Sequence, residues 1–191
     1  MIFFVDNYDS FTYNLVQALG RLDRDVVVAR NDRFDPDEVA RRRPKAIVIS
    51  PGPGRPEGAG RTLAMIAEAE RAGIPLLGVC LGHQAIALLH GAAVERATPR
   101  HGKSSSVVHD GSALFAGIPS PFDAARYHSL IVRESGLSHD LHVTARSDDG
   151  LVMALAHREK PVYGVQFHPE SVLTPDGDRL LSNFLALSEG R

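Results

Sequence analysis

The 191-residue sequence contains no tryptophan and a single cysteine, Cys80. One cysteine excludes an internal disulfide and a zinc site built from several thiolates, and it fits a reducing compartment, so we expect a cytoplasmic location. No stretch approaches the roughly 18 consecutive apolar residues of a transmembrane helix, and residues 1–10 lack the basic segment of a secretory signal. We therefore expect neither export nor a membrane partner.

Neither sign of charge dominates the chain. The 21 Lys and Arg residues against 23 Asp and Glu residues give a formal net charge of −2. Nucleic-acid binding proteins generally carry a basic surplus, so nucleic acid is not an expected partner. With 43% hydrophobic and 23% charged residues, the composition is typical of a globular protein, and the length predicts one domain over residues 1–191.

The first half of the chain alternates short apolar runs with amphipathic segments. The apolar runs predict buried strands at residues 2–5, 26–29, 46–49 and 76–79. The amphipathic segments predict helices at residues 11–22, 36–43, 59–72 and 82–90. This alternation predicts an α/β fold with an open, mostly parallel, flavodoxin-like sheet flanked by helices, and places ligand sites just after the strands.

The pattern changes from about residue 92 onward. Turn residues separate strand-like pieces at residues 93–97, 105–109, 122–132, 142–147, 151–157 and 162–167. We expect an additional antiparallel or mixed strand region here, followed by a helix over residues 176–187. Residues 101–106 (HGKSSS) are predicted to form a basic, hydroxyl-rich loop, either plain solvated surface or a site for an anionic group.

The cysteine lies between a predicted strand and a predicted helix, in the sequence Gly78-Val-Cys80-Leu-Gly82. This G-x-C-x-G pattern has the form of a nucleophile elbow, a sharp turn in which small neighbours let the backbone pass closely. The helix N-terminus beside Cys80 favours the thiolate, because its free N–H groups carry partial positive charge. A catalytic nucleophile and an inert buried cysteine both fit this local pattern.

A cysteine nucleophile needs a base, and His168 is the best candidate among nine histidines. His168 ends an apolar strand, and Glu170, two residues later, is expected on the same side of an extended segment, where its carboxylate can orient the imidazole. His83 is a weaker candidate because no carboxylate stands next to it in the sequence. A surface turn is the alternative interpretation of His-Pro-Glu.

Residues 50–56, Ser-Pro-Gly-Pro-Gly-Arg-Pro, follow the third predicted strand. Proline fixes φ and glycine permits close approach, so we expect a rigid loop. Such a loop beside a nucleophile can supply an oxyanion hole, with the Leu81 N–H as a second donor. The spacing excludes a G-x-G-x-x-G phosphate loop because Glu57 stands in place of the third glycine, and a purely structural turn stays open.

Five segments give the sequence a specific resemblance: DNYDSFTYNL, SPGPGRP, GVCLGHQ, RYHSL and GVQFHPES. Together they resemble the class I glutamine amidotransferases over residues 1 to about 187. The first and fourth are most similar to the small glutaminase subunits of anthranilate synthase or aminodeoxychorismate synthase. The resemblance implies hydrolysis of L-glutamine, no cofactor or metal in this chain, and, as the partner that receives the ammonia, a large chorismate-binding synthase subunit.

The resemblance also implies roles for individual residues. Cys80 would be the nucleophile, His168 the base and Glu170 its orienting carboxylate. The glutamine pocket and the oxyanion site would be lined by Gly52, Pro53, Gly54, Leu81, Gln84, Ser129 and Leu130. The roles of Gln84, Ser129 and Leu130 come from the resemblance alone.

Two other function classes use the same features. A cysteine hydrolase of related fold, such as a peptidase or a γ-glutamyl hydrolase, would use the same elbow. A catalytically silent, flavodoxin-like binding module would use the same alternation of strands and helices. The motifs fit a glutaminase subunit of tryptophan synthesis, of folate synthesis, or of both.

Overall fold

The structure, a computed structural model, describes residues 1–22 and 25–190, with the side chains of residues 98–103 left aside. Within these ranges nine strands form: β1 (Ile2–Asp6), β2 (Val26–Arg30), β3 (Ala46–Ile49), β4 (Leu76–Val79), β5 (Val94–His109), β6 (Phe122–Val132), β7 (Leu141–Ser147), β8 (Val152–His157) and β9 (Val162–Val165). The α-helices there are α1 (Thr12–Arg21), α2 (Pro36–Arg41), α3 (Thr62–Ala72), α4 (Leu81–Leu89) and α5 (Gly177–Glu189).

All nine strands form one sheet, in the order β2-β1-β3-β4-β9-β8-β7-β5-β6. The pairs from β2 to β9 are parallel, and the pairs from β9 to β6 are antiparallel. The α/β class, the parallel first half and the antiparallel second region are confirmed. The antiparallel region supplies half of the strand pairs of this single mixed sheet.

One predicted loop is part of a strand. The sequence predicts two strands at residues 93–97 and 105–109 with a loop at 101–106, but β5 runs through nearly all of these residues and pairs with β6. The register of the β5–β6 pair shifts between Arg96 and Arg100 and again between Arg100 and Lys103. Residues that favour turns therefore lie at bulges within the strand. The loop prediction is therefore wrong for the backbone, and the side chains of residues 101–103 lie outside the described part.

The core lies on both faces of the sheet. Ile2 and Phe4 of β1 pack with residues of α1 and α5, whereas Phe3 and Val5 pack with residues of α2, α3 and α4. The alternation of side chains along a strand explains this division. Helices cover both faces of the sheet. The edge at the carboxyl ends of the parallel strands is left open, and ligand sites of such folds lie at that edge. Among the described helices, none combines the length and the apolar character needed to cross a bilayer.

Candidate active site

Cys80 occupies a strained turn between β4 and α4. Its φ of 52° and ψ of −98° place a non-glycine residue at positive φ, a conformation that clusters at functional sites. A Cβ on Gly78 would lie 2.5 Å from the backbone carbon of Gly82, and a Cβ on Gly82 would lie 2.9 Å from the carbonyl oxygen of Ile49. The two glycines let strand, turn and helix pack closely enough to form the predicted elbow.

The sheet order brings His168 beside Cys80. Strand β9 pairs in parallel with β4, with Val79 opposite Val165, so both chains leave the sheet at the same edge. The Cys80 N–H donates to the Val165 carbonyl at 2.8 Å. Residues far apart in the sequence therefore meet because their strands are neighbours.

Glu170 holds His168 in a fixed orientation. Nδ1 of His168 lies 2.7 Å from Oε1 of Glu170, and both side chains are buried. Burial lowers the pKa of His168, but Cys80 and Glu170 raise it by more, to about 10. Because Nδ1 is held by the carboxylate, Nε2 is the ring nitrogen left for chemistry at Cys80.

The backbone around His168 is anchored to β6 and to the start of α5. The His168 N–H donates to the Ala125 carbonyl at 3.2 Å, and the Thr174 hydroxyl donates to the His168 carbonyl at 2.8 Å. A Cβ on Gly177 would lie 2.7 Å from the carbonyl carbon of Pro169. The segment that carries His168 and Glu170 is therefore clamped on both sides.

A pocket of about 170 Å³ opens at Cys80. It is lined by Gly52, Pro53, Gly54, Cys80, Gln84, Tyr127, His128, Ser129 and Leu130. Every residue predicted to line the substrate site is in this set except Leu81, which is the first residue of α4 and directly follows Cys80. The first N–H groups of a helix have no acceptor within the helix, so the Leu81 N–H suits the oxyanion role predicted for it.

A network of hydrogen bonds fixes the wall of this pocket. Nε2 of Gln84 donates to the Leu130 carbonyl at 3.2 Å and to Oε1 of Gln166 at 3.1 Å. Nε2 of Gln166 donates to Sγ of Cys80 at 3.5 Å. Gln84 thus connects the wall at Leu130 to the cysteine through one intermediate side chain.

A second cavity, of about 230 Å³, lies on the His168 side of the site. It is lined by Phe11, Asn14, Tyr127, His168, Glu170, Ser171 and Val172. Tyr127 lines both cavities, and its ring meets His168 edge to face with centroids 5.1 Å apart. The cysteine and the histidine therefore stand between two openings to solvent.

His83, the competing base candidate, is fully buried on α4. Burial lowers its pKa to about 3, far below the value near the working pH that suits a general base. A Cβ on Gly164 would lie 2.9 Å from Nδ1 of His83, so the ring is packed against β9. These features agree with the lower rank that sequence reasoning gave to His83.

One group of described side chains has the composition of a metal site. Glu70, His90 and His157 place ligand atoms within 4.8 Å of one another, away from Cys80. However, Nδ1 of His157 accepts backbone N–H groups of Glu159 and Lys160, and the Lys160 ammonium lies 3.5 Å from the Glu70 carboxylate. Glu70 also contacts Nε2 of His90 at 2.8 Å. These groups already satisfy one another as an ion-pair cluster.

The family model described as glutamine amidotransferase class-I matches residues 3–187. The chain belongs to the class I glutamine amidotransferases. Anthranilate synthase component 2 of Azospirillum brasilense is 51% identical over 186 residues, which cover 97% of this chain and 95% of that protein. Aminodeoxychorismate/anthranilate synthase component 2 of Bacillus subtilis is 49% identical, with the same coverage.

A solved structure has the same architecture as this amidotransferase. The crystal structure of a Thermoplasma acidophilum protein, described as one subunit of a GMP synthase, superposes with a TM-score of 0.87 at 28% identity. The alignment covers 98% of this chain and 92% of that one. The mixed sheet with its flanking helices is therefore an architecture found in a solved relative.

Sequence reasoning assigned no role to several residues of the amidotransferase site, among them Gln166, Tyr127 and His128. Gln166 stands two residues before His168, so the same alternation that paired His168 with Glu170 also indicated its direction. Tyr127 lies two residues before the predicted Ser129 on β6, and nothing in the local pattern indicated its contact with His168.

Proposed function

We propose that this amidotransferase is the glutaminase subunit of a chorismate-using synthase, with anthranilate synthase as the main assignment. It would hydrolyse L-glutamine through a thioester at Cys80 and deliver ammonia to a large subunit. The observation that carries the proposal is the convergence of Cys80, His168 and Glu170 beside the 170 Å³ pocket. The names of the relatives from A. brasilense and B. subtilis support the choice of synthase.

In the first chemical step, Cys80 attacks the side-chain amide carbonyl of glutamine. The Cys80 thiolate forms a C–S bond, and the carbonyl oxygen becomes an oxyanion. The Leu81 N–H and an N–H from Gly52 or Gly54 are the assigned donors, because Pro53 has no N–H. When the intermediate collapses, the C–N bond breaks and His168 donates a proton to the departing nitrogen, so that ammonia leaves and a glutamyl thioester remains.

The second step hydrolyses the thioester, and the electrostatics of His168 suit it. Acylation removes the negative charge of Cys80, which is one of the causes that raise the pKa of His168, while the burial that lowers this pKa persists. The imidazole can then stay neutral and accept a proton from water, whose oxygen attacks the thioester carbonyl. The C–S bond breaks, glutamate leaves, and the thiolate with its imidazolium partner is restored.

The partner subunit would cover the second cavity. Phe11, Tyr127 and Val172 line that cavity with exposed fractions of 57%, 38% and 94%; we call them the apolar rim. Exposed apolar side chains gathered around one opening are typical of an interaction site. Ammonia that leaves on the His168 side would pass through the covered cavity to the large subunit before bulk water protonates it.

Service to aminodeoxychorismate synthase is the second candidate. The B. subtilis relative carries both names, and it is nearly as similar to this chain as the relative named for anthranilate synthase alone. With either partner, we propose that residues 1–191 act as one domain in the cytoplasm. The chain would use no cofactor or metal of its own, and no nucleic acid would take part.

The test is glutamine-dependent ammonia release, with each candidate large subunit present. We expect the wild-type chain to release ammonia and one complex to form anthranilate or aminodeoxychorismate. The Cys80→Ser variant is expected to lose glutamine-dependent product, while its complex still aminates chorismate when ammonia is added directly. Unchanged ammonia release by Cys80→Ser, or cleavage of peptides with no partner, would contradict the proposal and favour another cysteine hydrolase.

A further inference from the structure

Asn7, in the loop after β1, is buried against the loop formed by residues 50–54. Only 3% of Asn7 is exposed, and it makes no capping hydrogen bond to α1 among the described residues. The sequence DNYDSF around it belongs to none of the triad, pocket or elbow motifs. Because this buried amide does not cap the following helix, its hydrogen bonds to other segments indicate its role.

The 50–54 loop is attached to Asn7 at three points. The Asn7 backbone N–H donates to the Ser50 hydroxyl at 2.8 Å, and Nδ2 of Asn7 donates to the Ser50 carbonyl at 2.9 Å. The Ser50 hydroxyl donates onward to the Pro51 carbonyl at 2.5 Å. The backbone of Gly52 packs on the same residue, since a Cβ there would lie 2.5 Å from Cβ of Asn7 and 2.7 Å from its carbonyl oxygen.

The opposite side of Asn7 fixes the orientation of its amide. Oδ1 accepts from Nδ2 of Asn31 at 3.0 Å and from the Thr62 hydroxyl at 2.7 Å. Both partners are buried, Asn31 on the loop after β2 and Thr62 at the start of α3. Because two donors meet Oδ1, the NH₂ group of the amide can point only toward Ser50. The loops after three neighbouring strands and the first residue of α3 therefore meet at the Asn7 side chain.

We propose that Asn7 is a positioning residue for the oxyanion hole: its amide and backbone hold the 50–54 loop so that a Gly52 or Gly54 N–H faces the carbonyl oxygen of a substrate attacked by Cys80. This inference rests on the proposed glutaminase function. Oxyanion donors act at about 2.7–3.1 Å from the developing charge, so a small loop displacement removes their effect. The described hydrogen bonds of Asn7 go to Ser50, Asn31 and Thr62 and none goes to Cys80, so Asn7 would act through the loop.

The test compares two reactions of the same cysteine in Asn7→Ala. Glutamine hydrolysis passes through an oxyanion. Alkylation by iodoacetamide forms a C–S bond as iodide leaves, and no oxyanion is formed in that reaction. Cys80 is the only cysteine of the chain, so alkylation reports on it alone. We expect kcat for ammonia release to fall at least tenfold, KM to change less than threefold, and the alkylation rate to stay within twofold of wild type.

Asn183→Ala is the matched control. Nδ2 of Asn183 donates to the carbonyls of Leu114 and Ala116, each at 2.9 Å, so the variant loses the same type of contact away from the site. We expect a lower melting temperature and an unchanged kcat. If Asn7→Ala does not fold, Ser50→Ala is the alternative, because it removes only the hydroxyl that accepts from the Asn7 N–H. For this smaller change we expect a kcat loss of at least threefold.

Four outcomes separate the possibilities. A selective loss of kcat with alkylation retained supports the positioning role. A folded Asn7→Ala with kcat within threefold of wild type, or a parallel fall of kcat and alkylation rate, would overturn it. Absence of ammonia release by the wild-type chain with its partner would instead refute the proposed function.

Discussion

Replacing Gly177 by alanine is expected to disable the site through a residue that lies outside both cavities. A Cβ at position 177 would overlap the carbonyl oxygen of Pro169 and would lie 2.7 Å from its carbonyl carbon. Non-bonded carbons are ordinarily at least about 3.5 Å apart, and the overlap with the oxygen is larger still, so α5 and the backbone of Pro169 must separate by at least about 1 Å. Pro169 stands between His168 and Glu170, so this separation moves the side chain proposed as the base or the carboxylate proposed to orient it.

The size of the effect follows from the displacement. Misplacing a catalytic group by about 1 Å can reduce a rate about 100-fold, so we expect a loss of that order in kcat for ammonia release by Gly177→Ala. Overpacking of this kind costs about 1–3 kcal/mol, so the variant should still fold. Thermal unfolding and the ammonia assay together separate the two effects.

Gly20→Ala is the control for this prediction. Gly20 lies within α1, and a Cβ there would meet nothing within 4 Å, so the change should raise stability by up to about 1 kcal/mol and leave kcat unchanged. A folded Gly177→Ala with wild-type kcat would refute the reasoning, because it would mean that the position of the His168–Glu170 segment does not control catalysis.

Three further predictions follow from the site. At a pKa of about 10, the imidazole of His168 stays protonated well above neutral pH, and Cys80 is one cause of this raised value. In Cys80→Ala the pKa of His168 should therefore fall. An unchanged midpoint in an NMR titration would contradict this. Glu170→Gln should lower kcat at least tenfold with KM nearly unchanged, and steady-state kinetics with undiminished kcat would exclude an orienting role. Val172→Asp should weaken binding of the large subunit at least tenfold in calorimetry, because burying a valine is worth about 1.5–3 kcal/mol. Val108→Asp, at an exposed valine on β5, is the control and should leave binding unchanged. Equal losses of affinity in the two variants would show that the apolar rim is not part of the interface.

Sequence reasoning located the elements of the site that depend on local pattern. The G-x-C-x-G turn is encoded by neighbouring residues, since Gly78 and Gly82 are needed where Cβ atoms would collide. The His168–Glu170 pair follows from alternation within one short segment, and its hydrogen bond of 2.7 Å agrees with that expectation. Both features need only a few consecutive residues.

Features that depend on contacts between distant segments were not predictable in this way. The hydrogen bonds of Asn7 join it to residues 24, 43 and 55 positions away, and its local sequence contains no sign of these partners. Turn-forming residues interrupt the apolar pattern of β5 and predict two strands, whereas pairing with the long strand β6 keeps those residues in the sheet. Tertiary pairing outweighed local preference at that position.

A glutamine-mimicking diazoketone tests most directly whether the sulfur of Cys80 cleaves glutamine. The reagent should attach one group per chain, at Cys80, and ammonia release from glutamine should fall in proportion to the labelled fraction measured by peptide mass spectrometry. Continued ammonia release by chains whose Cys80 is fully labelled would contradict the account.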